Sequence, residues 1–147
     1  MSTPVSDVIA HKGGSVHTVS PEATVRKAVH LMNEKKIGAL LVMHEDKPAG
    51  MFTERDVLVR VVDTGKDPAT TRVHEVMSSQ LVTIKPSLSV EQTMKIMTEK
   101  RCRHLPVMEG DKLLGLISIG DVTRWIVREH ESYIDNLLSY IHGGYPT

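Results

Sequence analysis

The sequence predicts an α/β fold, in the α+β sense: two β-α-β-β-α repeats packed with pseudo-two-fold symmetry, followed by a C-terminal helical extension. Three observations carry this. From Thr18 to Val57 every position has a counterpart 65 residues later, without insertion or deletion through Val122, and fourteen of the forty pairs are identical. Thr18/Thr83, Pro21/Pro86, Leu40/Leu105, Gly50/Gly115 and Asp56/Asp121 are among them. A repeat defines the structural unit and says that the unit occurs as a pair. Each half has only about 60 residues, which is marginal for an independent core, so the halves are expected to share one. Within each half the apolar pattern switches from alternation to a helical period and back.

Val16 and Thr18 open a short extended segment that Pro21 closes, and Leu81 and Thr83 do the same before Pro86. Val25, Ala28, Val29 and Met32 then fall at i, i+3, i+4 and i+7, as do Val90, Thr93, Met94 and Met97, giving one helix per half. Ser89 and Gln92 have capping-box spacing. ALLVM (39–43) and HLPVM (104–108) are short apolar runs bounded by turns and read as buried strands. The turns EDKPA and EGDK lead into GMFT and GLIS, the last strands, and helices begin near Glu54 and Ile119. The expected boundaries are a first repeat over 5–64, a linker over 65–72, a second repeat over 73–127 and a helical tail over 128–147. Val73–Met77 echoes Val5–Ile9 at a spacing of 68, so the first copy carries three extra residues around His11–Gly14.

Composition narrows the class. Hydrophobic residues make up 40% and charged residues 24% of the 147, and no apolar run approaches the roughly 20 residues of a membrane span. The opening MSTPVSDVIAHKGG has no charged region followed by an apolar stretch, so a soluble, cytoplasmic protein is expected. Eighteen basic residues balance eighteen acidic ones, and with one Phe and one Trp the chain lacks the footprint of a nucleic-acid binder. The single Cys102 excludes an internal disulfide and reads as a small buried hydrophobe in the run CRHLPV.

The residues that carry chemistry close the third strand: Gly50-Met-Phe-Thr53-Glu-Arg-Asp56 and Gly115-Leu-Ile-Ser118-Ile-Gly-Asp121. A hydroxyl at a strand-to-helix junction faces unpaired N–H groups and the positive end of the dipole, a setting that suits phosphate. A carboxylate three residues on can accept hydrogen bonds from a ribose diol. Hydroxyl and carboxylate together describe a nucleotide. The same residues also read as N-caps with favourable first-turn acids, an arrangement of helices with no ligand. Duplication in one register favours binding.

These tandem units, with Thr-x-x-Pro at the first strand, Leu-Pro-Val in the second copy and Gly-x-x-Thr/Ser-x-x-Asp in both, resemble a pair of CBS domains, the Bateman module, over about residues 5–127. The tail from Ser118 to Gly144 is similar to stand-alone bacterial and organellar members. The resemblance implies a regulatory module that binds adenine nucleotides (AMP, ADP or ATP, alternatively NAD(H)) in the cleft between its repeats, forms a flat homodimer through its helices and acts on a separate regulated protein. It implies one site using Ser118, Asp121, Arg103 and His104 with His17, Thr18, Ile37 and Gly38, and another using Thr53, Arg55 and Asp56 with Val82, Cys102 and Arg103. Leu41 departs from the family's usual Pro, which Pro106 keeps in the second copy. A structural dimerisation module with vestigial clefts is the alternative from another class.

The sites are expected to differ, because repeat two offers Arg101, Arg103 and His104 where repeat one offers Lys36, Gly38 and Ala39. Arginine forks suit phosphate oxygens; a solvated strand edge accounts for the same arginines. No catalytic residue and no metal site are expected: the eight histidines never pair at i, i+4, and there is no Gly-x-Ser-x-Gly. Beyond the repeat, Asp121 to His142 reads as a helix ended by Gly143-Gly144, and Ile134, Leu137, Leu138 and Ile141 form an apolar stripe suited to self-association. Glu129, Glu131 and Asp135 oppose an anionic membrane surface. Val57, Val61, Val122 and Trp125 are expected as further contacts.

Overall fold

The computed structural model describes residues 3–143. The chain divides into two compact units: one spans Ser15–Thr83, and the other joins the N-terminal segment up to Gly14 to the chain from Ile84 onward. Each unit therefore holds the body of one repeat together with the short helix that precedes the other repeat in sequence.

In the Ser15–Thr83 unit, β1 (Thr18–Val19) runs parallel to β2 (Ala39–His44), which pairs antiparallel with β3 (Lys47–Thr53). Between β1 and β2 lies α2 (Val25–Lys35), capped by the Thr24 side chain, which accepts from Lys27 N–H. Its apolar period does what the sequence predicts: Val25, Ala28 and Met32 are buried and pack with Leu40, Val42 and Phe52. After β3 the chain turns into α3 (Glu54–Asp56) and continues as a π-helical segment, Val57–Val62. The borrowed helix α4 (Val73–Val76) closes this core with Val73 and Val76.

The other unit repeats the plan. Helix α5 (Val90–Lys100) starts at the predicted Ser89–Gln92 capping box, β4 (His104–Glu109) pairs antiparallel with β5 (Lys112–Ser118), and α6 (Ile119–Gly143) follows. The borrowed helix here is α1 (Val5–Lys12), whose Val5 N–H donates to Leu88 O at 2.7 Å. Val5, Val8, Val90, Met97, Leu105, Val107, Ile117 and Val122 are buried.

The copies differ at their first strand. In the first, Leu41 N–H donates to His17 O at 3.2 Å and a strand forms. In the second, the matched position is Pro106, which has no N–H to give. The predicted extended segment at Leu81–Thr83 accordingly shrinks to a single parallel bridge, Ile84 with Val107, held by Ile84 N–H to Pro106 O at 3.0 Å and Met108 N–H to Ile84 O at 2.9 Å.

The motif glycines are explained by the borrowed helices. A Cβ on Gly50 would meet Ser78 O at 2.6 Å and Met77 Sδ at 2.8 Å, and one on Gly115 would meet Ile9 Cδ1 at 2.8 Å. Ile9 and Met77 are the matched residues of the echoed segments. In both copies the glycine clears the same neighbour.

Three expectations change. Val61 and Val122, expected as contacts between copies, are 1% and 0% exposed within their own units and belong to the cores. Val57 and Trp125 are half-buried, and the exposed large apolar residues include instead Leu58, Val59 and Val62 and, on α6, Val127, Ile134, Leu137 and Leu138. Cys102 is half-buried in the turn before β4 rather than enclosed within a strand. The Ile141 side chain and Gly144 lie outside the described residues. Among the described residues no helix is long and apolar enough to cross a membrane.

Candidate functional site

Both copies build the same junction. Helix α2 ends at Lys36 and α5 at Arg101, matched residues in left-handed conformation (φ 56° and 54°). The next N–H groups, of Ile37 and Cys102, return to Met32 O (3.0 Å) and Met97 O (3.1 Å). This reversal brings the following residues, Gly38 and Arg103, against the end of the last strand. Gly38 O accepts from Glu54 N–H at 3.0 Å, and Arg103 O accepts from Ile119 N–H at 2.8 Å. Each unit thus joins the residue before its central strand to the first residue of the motif helix.

In the Ser15–Thr83 unit, Thr53 Oγ1 accepts from Asp56 N–H at 3.3 Å, and Asp56 Oδ2 accepts from Thr53 N–H at 2.9 Å and from Thr53 Oγ1 at 3.2 Å. The capping reading is therefore realised in full. Asp56 is buried and Thr53 half-buried, while Arg55 is exposed. Arg60 lies with Nε 3.8 Å from Asp56 Oδ1 and is anchored by hydrogen bonds from Nη1 to Val76 O and Met77 O. His17 and Thr18 are exposed on and before β1, Ile37 and Gly38 are half-buried at the junction, and Val82 is half-buried near the end of the unit. A Cβ on Gly38 would meet the Glu54 carboxylate at 3.2 Å, so a residue with a side chain crowds this junction.

The other unit sets the same box more tightly and adds charge. Ser118 Oγ accepts from Asp121 N–H at 3.1 Å, and Asp121 Oδ2 accepts from Ser118 N–H at 2.8 Å and Ser118 Oγ at 2.9 Å. Lys12 reaches the same oxygen from α1 at 2.7 Å and also donates to Leu116 O at 2.9 Å. Arg124 Nη2 donates to Oδ1 at 2.9 Å. His104 opens β4 opposite Ser118 and is half-buried, with Cys102 half-buried and Arg103 exposed beside it. Burial opposes ionisation of Asp121, but the Lys12 hydrogen bond, the Ser118 donors and the Lys12 charge outweigh it and hold its carboxyl below the usual carboxylate range. His104 is held below the ordinary histidine value, first by burial and then by Lys12 and Arg103 against the opposing pull of Asp121. Burial pushes the Cys102 thiol up, against its backbone hydrogen bond and Lys100, so it stays protonated and unreactive near neutral pH.

The structure thus brings together Thr53, Asp56 and Gly38 in one unit, and Ser118, Asp121, Arg103 and His104 in the other. Sequence reasoning missed Lys12 and Arg124. Arg124 had a readable signal, one turn after Asp121 on the predicted helix; Lys12 had none, because 109 residues separate it from its partner. A surface cavity of about 480 Å³ lies elsewhere, along α2, lined by Thr24, Arg26, Lys27, Val29, His30, Asn33 and Ala69, and contains no motif residue.

Comparison with known proteins gives the family. A model described as the CBS domain matches residues 3–63 and again 73–128. Over 153 aligned residues the chain is 37% identical to the CBS domain-containing protein CBSX3, mitochondrial, of Arabidopsis thaliana, covering 98% of this chain and 74% of that protein. Among solved structures it is similar to a protein with CBS domains from Burkholderia ambifaria MC40-6, at 42% identity and a TM-score of 0.82, over 86% of this chain and 95% of that one. A hexameric CBS-CP12 protein from bloom-forming cyanobacteria is 32% identical, with a TM-score of 0.74, over 98% of this chain and 90% of that one.

Proposed function

Because the chain belongs to the CBS-domain family and carries two such domains in tandem, a module that is generally regulatory and ligand-binding, we propose that it is a non-catalytic sensor of adenine nucleotides that acts on a separate protein. CBS domains generally bind adenine nucleotides. The observation that carries the reading here is the duplicated junction. In both units a hydroxyl and a carboxylate three residues apart sit at the start of the motif helix, tied to the residue before the central strand. The hydroxyl and the first N–H groups of the helix suit a phosphate, and the carboxylate suits a ribose diol. Arg103 and His104 add cationic and hydrogen-bonding capacity beside Ser118, where Gly38 and Ala39 add none. AMP, ADP or ATP is the proposed ligand class.

The module is further proposed to work as a homodimer in the cytoplasm; the Arabidopsis relative is mitochondrial. Leu58, Val59 and Val62 in one unit, and Val127, Ile134, Leu137 and Leu138 in the other, are exposed and apolar, and they supply contact area for a symmetric pair.

A second reading, a structural dimerisation module with vestigial clefts, is favoured by the fact that both carboxylates already cap their own helices. Thermal unfolding with AMP, ADP, ATP and NAD(H) at millimolar concentration separates the two, since a ligand that binds only the folded state raises its melting temperature. A rise with an adenine mononucleotide supports the sensor. A rise with NAD(H) alone makes it a redox-state sensor. No rise and no calorimetric heat with any of the four leaves the dimerisation module.

A further inference from the structure

The two motif carboxylates differ in what already occupies them. Asp56 receives two hydrogen bonds, both from Thr53 and both on Oδ2, and Arg60 stands off at 3.8 Å from Oδ1. Asp121 receives four: Ser118 N–H, Ser118 Oγ and Lys12 Nζ on Oδ2, and Arg124 Nη2 on Oδ1. Each carboxylate oxygen offers about two lone-pair sites, so Oδ2 of Asp121, with three of these bonds, is filled by its own chain, whereas Oδ1 of Asp56 carries no hydrogen bond. The two cations on Asp121 are held very differently. The Arg124 side chain is 68% exposed and can leave into water at little cost. Lys12 is 32% exposed, contacts a carboxylate only 9% exposed, and is held at both ends by Leu116 O and the helix that carries it. It lies in the His11–Gly14 stretch, where the first copy is three residues longer than its counterpart, so the second motif alone receives such a group.

We propose that Lys12 is a specificity-determining residue of the second motif, which makes a phosphate group a requirement for any ligand whose sugar engages Asp121 through Oδ2, the oxygen that Lys12 and Ser118 already hold. The inference rests on the reading of the motif as a ribose-phosphate site. A ribose hydroxyl that donates to Asp121 Oδ2 must take the place of the ammonium. An uncharged nucleoside does this and leaves Lys12 without its anion. A nucleotide does the same and supplies a new anion beside it, because Ser118 Oγ, the group assigned to the phosphate, and Lys12 Nζ hydrogen-bond the same carboxylate oxygen and are neighbours. Lys12 therefore exchanges one anion for another when the ligand is phosphorylated, and loses one when it is not. At the first motif Oδ1 of Asp56 carries no hydrogen bond, and Arg60, 3.8 Å away, is anchored on Val76 O and Met77 O, so a sugar hydroxyl there displaces no hydrogen-bonded cation.

The test uses the full chain carrying Asp56→Ala, which leaves the second motif as the site, titrated calorimetrically with adenosine and with AMP. With Lys12 present, AMP is expected to bind at least about tenfold more tightly than adenosine, the weight of one charge-assisted hydrogen bond. Lys12→Met is expected to narrow that ratio toward unity by strengthening adenosine and weakening AMP, and Lys12→Arg to preserve it. Lys12→Gln makes the same comparison if the methionine variant fails to fold. A general loss of stability lowers both affinities together and does not move the ratio. An unchanged ratio in a folded Lys12→Met or Lys12→Gln chain would overturn the inference and leave the sensor reading intact. So would nucleotide binding by the unsubstituted chain that vanishes entirely with Asp56→Ala. Failure of the unsubstituted chain to bind either compound would overturn the functional reading, and the inference with it.

Discussion

Removing each motif aspartate in the absence of ligand separates the local role of these carboxylates from the long-range one. Asp56→Ala deletes an acceptor for Thr53 N–H and Thr53 Oγ1 and undoes one capping box. Loss of a helix cap costs about 1 kcal/mol. Arg60 loses its 3.8 Å ion pair with Asp56, a half-exposed contact of small weight, and keeps its hydrogen bonds to Val76 O and Met77 O. Asp121→Ala removes the same kind of cap and also the anion that ties Lys12 on α1 to the start of α6. A charge-assisted hydrogen bond of this kind has a nominal weight of roughly 1.5–3 kcal/mol. Solvent reaches Lys12, which is 32% exposed, so the expected share is discounted to about 1 kcal/mol. Arg124, at 68% exposure, adds nothing measurable. The expectation is a loss of about 1 kcal/mol for Asp56→Ala and about 2 kcal/mol for Asp121→Ala, or roughly 2–4 °C and 4–8 °C in melting temperature for a chain of this length. Urea unfolding followed by circular dichroism at neutral pH measures both, and the excess for Asp121→Ala should shrink in about 1 M salt, where the screening length falls to about 3 Å. Equal losses, within about 0.3 kcal/mol, would refute the reasoning, since the Lys12 contact would then contribute nothing beyond the local cap.

Three further outcomes are expected. Gly50→Ala should destabilise more than Gly115→Ala within the roughly 1–3 kcal/mol range of overpacking, because the new methyl on Gly50 meets backbone at Ser78 O, whereas on Gly115 it meets the Ile9 side chain, which can turn aside; denaturation midpoints decide the order. The depressed value of His104 means that the unfolded chain takes up its proton first, so its contribution is complete above about pH 6.5 and is lost as pH falls from there through the folded value. Asp121, also depressed, adds a second loss as pH falls below about 3.9 and through its own folded value; urea midpoints should begin to drop as pH falls below about 6.5, and His104→Asn should flatten that part of the profile. The full chain should scatter light as a dimer at about 20 µM, and a chain ending at Arg128, without Ile134, Leu137 and Leu138, should dissociate or lose stability.

Much of the motif was readable in one dimension because its parts are close along the chain. The helical periods of Val25–Met32 and Val90–Met97, the Ser89–Gln92 box and the Thr53–Asp56 and Ser118–Asp121 pairs all depend on spacings of three to seven residues, and the repeat shows as one constant offset of 65. Periodicity marked Val61 and Val122 as apolar helix positions, but not which side of the helix would be covered; their burial in their own units removed them from the set of outward contacts.

Local order in this chain follows from local chemistry: hydroxyls that cap and apolar residues at helical period. These are decided by neighbours in sequence, and a reader of the sequence can find them. The exchange of α1 and α4 between the repeats, the clearance that Gly50 and Gly115 make for Met77 and Ile9, and the Lys12 ammonium on Asp121 were decided by the path of the backbone. A contact spanning 109 residues has no periodicity to betray it. Side-chain burial and charge pairing act through space, and only the folded chain says which distant residues share that space.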